Sequence, residues 1–177
     1  NRLLPSDIAA TYATEVPLNF DARYSCKGKQ YIYKIWNHKI RNPFYRNRAL
    51  HYWYKLDTDY LNETAKLFIG THNFTSFATI DKREPKNMVR TIYDFDVVKK
   101  DCMVEIKVSA NGFLYNMVRI LVGTLLRVAQ KKFTKEDIPK IISAKNRSCA
   151  GPTAPPQGLY LNKVFYDIKE DVNKNEL

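Results

Sequence analysis

The chain has 177 residues, 45% of them apolar, and a formal net charge of +11 from 29 Lys and Arg against 18 Asp and Glu. That length buries a core without disulfides or metal, and that charge points to a polyanion, nucleic acid first, as partner. Cys26, Cys102 and Cys149 are scattered, His38, His51 and His72 show no metal spacing, and no apolar run is long and uncharged enough to cross a bilayer, so a secreted disulfide scaffold, a zinc module and a membrane protein give way to a cytoplasmic domain.

In chain order, Pro5, Ser6 and Asp7 mark a loop before a predicted strand at Ile8–Val16, which Pro17 ends. The segment Phe20-Asp21-Ala22-Arg23-Tyr24 leads to an aromatic strand at Tyr31–Trp36; residues 37–47 form a basic loop, and Ala49–Tyr54 a second aromatic strand. Asp57 or Thr58 caps a helix through Leu61, Ala65 and Phe68, which Gly70 stops. Residues 71–86 read as a loop ending in Asp81-Lys82-Arg83-Glu84-Pro85. Met88–Val98 and Cys102–Ala110 form a hairpin running straight into a helix over Asn111–Ala129. Thr134 caps a further helix with Asp137 as its partner and Phe133 stapled on Ile138. A rigid loop with Pro152, Pro155 and Pro156 precedes a last strand at Gly158–Asp167, and residues 168–177 read as a frayed tail. The order predicts an α+β fold with helices on one face of an antiparallel sheet.

The 111–129 helix is apolar around most of its circumference, so it is buried. Asn116, Arg119, Gly123 and Arg127 fall on one stripe. Arg119 sits among Met117, Val118, Ile120 and Leu121, where an unpaired charge is costly, and no Asp or Glu lies between Ile106 and Lys135. It therefore requires either an anion brought by another segment or a structural role, in a salt bridge or on distant carbonyls. A glycine inside a helix costs about 1 kcal/mol against alanine, so Gly123 marks the close approach of a backbone or a ligand.

Several ordered segments together resemble the tRNA pseudouridine synthase A family: Phe20–Tyr24; Tyr31 and Tyr33 with Asn37 and His38; Gly70, His72, Phe74, Ser76 and Phe77; Gly112-Phe113-Leu114 with Met117-Val118-Arg119 and Val122-Gly123; and Gly158-Leu159-Tyr160-Leu161 with Val164 and Tyr166. The resemblance implies the ferredoxin- or RRM-like half of a pseudouridine synthase fold over residues 1–167, a homodimer, and a cofactor-free, metal-free isomerase acting on the tRNA anticodon stem-loop. It implies Arg119 as partner of a nucleophilic aspartate and Tyr31 as the ring that stacks on the base and helps move its proton. Leu159 becomes the apolar floor, with Phe113 beside the substrate. Phe20, Asp21, Ala22, Arg23 and Tyr24, and Asp81, Lys82, Arg83, Glu84 and Pro85, become RNA contacts. The family's aspartate motif is absent from these residues, which start at Asn1; the chain reads as a carboxy-terminal portion, inactive alone. The competing expectation is a non-catalytic RNA-binding module.

Overall fold

The computed structural model describes residues 1–79 and 87–166. Nine residues rich in aromatic and β-branched side chains, Gly28–Trp36, form β1, on which the sheet is assembled. One edge of β1 pairs antiparallel with β5 (Met103–Ala110); the other is shared by β6 (Leu159–Phe165), antiparallel along 28–33, and β2 (Leu50–His51), parallel at 35–36. β4 (Val89–Lys100) and β3 (Gly70–Asn73) complete the order β2-β1-β5-β4-β3. The sheet is thus antiparallel but for one two-residue parallel pair.

Alternation decides what each strand buries. In β5, Val104, Ile106 and Val108 point into the core while Glu105 and Lys107 point away. In β4 the inward set changes parity, Ile92 and then Phe95 and Val97, because a bulge lies between Ile92 and Asp94. α1 (Thr58–Lys66), α2 (Met117–Ala129) and α3 (Asp137–Ala144) contribute to one core cluster on the face carrying Tyr33 and Ile35. On the opposite face, Lys34 and Lys107 both pair with Glu105.

The hairpin is as predicted, β4 running on to Lys100 with Asp101 at φ 54° in its turn. Asp57 caps α1 through a bond from the Tyr60 amide. The Thr134 amide donates to Asp137 Oδ2 at 2.9 Å, the reciprocal half of a capping box, although regular α3 begins only at Asp137. Among the described residues no helix is long and apolar enough to cross a membrane.

Four expectations are corrected. Residues 8–16 form no strand: Ile8 and Tyr12 are each 56% exposed, and an extended segment without a partner ladder makes no sheet. The Ala49–Tyr54 strand shrinks to Leu50–His51, since only those residues pair in register with β1, the Tyr52 amide adding one last bond to the Trp36 carbonyl. The 71–86 loop holds β3, and its Phe74 and Phe77 are fully buried. α2 starts at Met117 rather than Asn111, because Asn116 takes the left-handed conformation at φ 60°.

Candidate active site

Loop 111–116 carries the chain from β5 to α2, and Asn116 makes the turn: asparagine tolerates positive φ where most side chains are strained. Its side chain then works in both directions. Oδ1 accepts from Arg119 Nη1 at 3.0 Å, and Nδ2 donates to Thr79 Oγ1 at 3.2 Å.

Arg119 is bound just as firmly to the proline-rich strap, residues 150–158. Its Nε donates to the Ala154 carbonyl at 2.6 Å, and the Ala154 amide donates to the Arg119 carbonyl at 3.0 Å. The strap can come this close because α2 has Gly123 beneath it: a Cβ there would lie 1.7 Å from the Pro152 carbonyl oxygen. The close approach implied by a mid-helix glycine is therefore that of a backbone. A further anchor is Tyr33, whose hydroxyl donates to the Pro155 carbonyl at 2.7 Å.

These contacts wall a cleft of about 430 Å³ lined by Tyr31, Phe113, Leu114, Arg119, Pro156 and Leu159 among others, within the range of small-ligand sites. Tyr31 and Phe113 meet edge to face, centroids 5.2 Å apart at 90°. Leu159 pairs with Tyr33 across the ladder and is half-buried. Burial raises the Tyr31 hydroxyl above its ordinary value, making a phenol that is neutral at physiological pH in any case still harder to ionise. Burial raises Tyr33 further, offset in part by the Arg119 charge.

Both uses foreseen for Arg119 have a bearing here. It does hold a distant carbonyl, Ala154, but that bond occupies Nε alone. Among the described residues Arg119 makes no ion pair and Nη2 makes no hydrogen bond. No buried side-chain nitrogen or oxygen there lacks a partner, so Nη2 is not fully enclosed, and Arg119 lines the cleft. The arrangement offers an oriented cation, a neutral phenol and apolar walls: a place for a flat polar ring next to a carboxylate.

Phe113, Tyr31, Arg119 and Leu159 thus come together, whereas Phe20–Tyr24 does not join them. That turn is held by Asp21 Oδ1, which accepts from the Arg23 and Tyr24 amides at 2.7 and 2.8 Å, with the Arg23 guanidinium over the Tyr24 ring. Phe20 packs on Tyr166 and the Tyr166 hydroxyl donates to the Ala22 carbonyl. It sits at the far end of β6 from Leu159, roughly 20 Å along the strand. Asp81, Lys82, Arg83, Glu84 and Pro85 lie outside the described residues. Sequence reasoning missed Asn116 as the hinge of the site and the strap as the clamp on Arg119. The first had a signal, an Asn ahead of an apolar helical run; a backbone carbonyl such as that of Ala154 leaves none.

Residues 64–167 match the family model described as tRNA pseudouridine synthase. Relatives named tRNA pseudouridine synthase A resemble 94% of the chain: that of Acetivibrio thermocellus is 43% identical over 166 residues, covering 68% of its length. Those of Bacillus pumilus and Caldicellulosiruptor bescii are 46% and 45% identical, the match covering 67% and 68% of each.

Proposed function

The chain belongs to the tRNA pseudouridine synthase family, and from that premise we propose that its cleft isomerises uridine to pseudouridine in the anticodon stem-loop of tRNA. The observation that carries the reading is Arg119, fixed by Asn116 and Ala154, lining the cleft with an Nη2 that no described residue bonds and no acid of its own among the described residues. A carboxylate from a segment outside residues 1–177 is the nucleophile, and Arg119 holds it ionised and oriented through a charge-assisted contact. Residues 1–177 alone then bind tRNA and turn nothing over.

The reaction balances without a cofactor. The bond from ribose C1′ to uracil N1 breaks, the freed ring turns, and a bond from C1′ to C5 forms. The proton on C5 leaves and N1 gains one. Tyr31, a neutral phenol, is suited to relaying that proton while its ring stacks on the base, with Leu159 beneath and Phe113 at the edge. A uridine reaches such a site only after leaving its own stack, which the basic surface supports by holding the backbone. Phe20–Tyr24 and Asp81–Pro85 are read as parts of that surface, and the complete enzyme as a cytoplasmic homodimer.

The alternative, an RNA-binding module that stacks bases on its open sheet, is not favoured. Open-face positions at the centre of β1 and β5 carry Lys34, Glu105 and Lys107 in ion pairs rather than rings. The test is mass-spectrometric detection of pseudouridine in tRNA treated with the full-length protein and with residues 1–177. Absence of product from the former overturns the activity; product from the latter overturns the outside nucleophile.

A further inference from the structure

A second cavity, of about 410 Å³, opens beside the basic loop between β1 and β2. Its aromatic walls are Trp36 and Tyr45, rings 5.1 Å apart and inclined by only 31°, and His51 is also in its lining. Arg41 and Arg46 line it too, and Gln157 closes one side. From His38 to Arg48 the chain has four Lys and Arg and no Asp or Glu, and none of the four makes an ion pair among the described residues.

The cavity is held open by its own hydrogen bonds. Trp36 Nε1 donates to the Ile40 carbonyl at 3.0 Å, Asn42 Oδ1 caps the turn Pro43–Tyr45 by accepting from the Phe44 amide, and the Tyr160 hydroxyl donates to the Arg48 carbonyl at 2.6 Å. These bonds satisfy the indole N–H and the Ile40 and Arg48 carbonyls internally, leaving the ring surface that lines the cavity and the Arg41 and Arg46 guanidinium groups for something else. Its location relative to the cleft is also set. The turn Pro156–Gly158 walls both, Pro156 lining the cleft and Gln157 the cavity.

We infer that this cavity is a second nucleotide subsite, in which a base of the same RNA strand packs against Trp36 and Tyr45 while Arg41 and Arg46 take its phosphates. Aromatic walls with arginines at the rim are the chemistry of single-stranded nucleotide binding, and an acidic peptide would have no use for the rings. The inference rests on the proposed function only for RNA being the ligand; the geometry of the pocket is independent of the catalysis.

The experiment uses the full-length protein and tRNA carrying photoreactive 4-thiouridine, with cross-links mapped by mass spectrometry. Labelling of Trp36 or Tyr45 is expected. Arg41→Gln with Arg46→Gln lowers the slope of log affinity against log salt by about 1.4, at 0.7 for each single-strand phosphate contact. Tyr45→Ala weakens binding on the order of tenfold, the loss of one stacked base. Lys140→Gln, which removes an exposed charge from α3, is the control and leaves the slope as it was. No label at the pocket, or an unchanged slope in the double variant, overturns the subsite. A photoreactive mononucleotide that labels it as well as the tRNA does overturns its assignment to an RNA strand. Neither readout needs turnover: a protein that is labelled here yet forms no pseudouridine refutes the activity alone, and one that forms pseudouridine without labelling refutes the subsite alone.

Discussion

Replacing Gly123 with alanine sets two principles against each other and the structure chooses between them. In an exposed helix the change stabilises by about 1 kcal/mol. Here the new methyl would be 1.7 Å from the Pro152 carbonyl oxygen and 2.9 Å from its carbon, whereas contact becomes ordinary only from 3.4 Å. The obstacle is backbone, so no side chain can swing aside; the strap must retreat by about as much as it now approaches. Gly151 faces the same contact from the other side, its Cβ position lying 2.6 Å from the Gly123 carbonyl. Retreat breaks the bonds that bind strap to helix, Gly151 N to Thr124 Oγ1 and the Arg119–Ala154 pair. Overpacking costs about 1–3 kcal/mol and each of the three lost bonds about 1 kcal/mol, so after the propensity gain the net loss is about 4 kcal/mol. For a chain of this size that lowers Tm by roughly 8–16 °C. Urea denaturation at constant slope measures it, and turnover should fall further than stability because Arg119 loses its anchor. A Gly123→Ala protein as stable as the parent, or more so, would refute the backbone contact and with it the clamp on Arg119.

Arg119→Lys removes the planar fork that reaches Asn116 and Ala154 together; turnover in a tritium-release assay should fall at least ~100-fold while stability falls by about 1–2 kcal/mol, and near-normal turnover would take Arg119 out of the site. Tyr31→Phe keeps the ring against Phe113 and loses the hydroxyl; tRNA affinity should hold within about twofold while the single-turnover rate drops by ~100-fold. Tyr33 ionises far less readily folded than unfolded, because it is buried. Its contribution to stability is therefore whole below the ordinary tyrosine value of 10 and is lost as pH rises above it. Thermal melts should show a steady Tm up to about pH 9 and a decline beyond, shallower in Tyr33→Phe, which at neutral pH costs about 1 kcal/mol for the bond to Pro155.

Composition and pattern carried a good deal of this protein. Aromatic content located β1, two strand-like segments about a short polar turn located β4 and β5, capping residues located α1 and α3, and an apolar run with two arginines marked α2 as buried. Those signals are local, each being a property of a few consecutive residues in water, and so they are legible in one dimension. The ordered motifs extended that reading to Tyr31, Phe113, Arg119 and Leu159, which the fold gathers into one cleft. What failed were features requiring a partner: the strand expected at 8–16 found no neighbouring strand, whereas 70–73, read as the end of a helix and the start of a loop, became β3 because β4 supplied the ladder. Tertiary structure alone decided how Arg119 is held. Its carbonyl partner, Ala154, lies 35 residues away on an irregular strap, and every residue type presents the same backbone carbonyl. Only packing, through Gly123 and Tyr33, determines which one arrives.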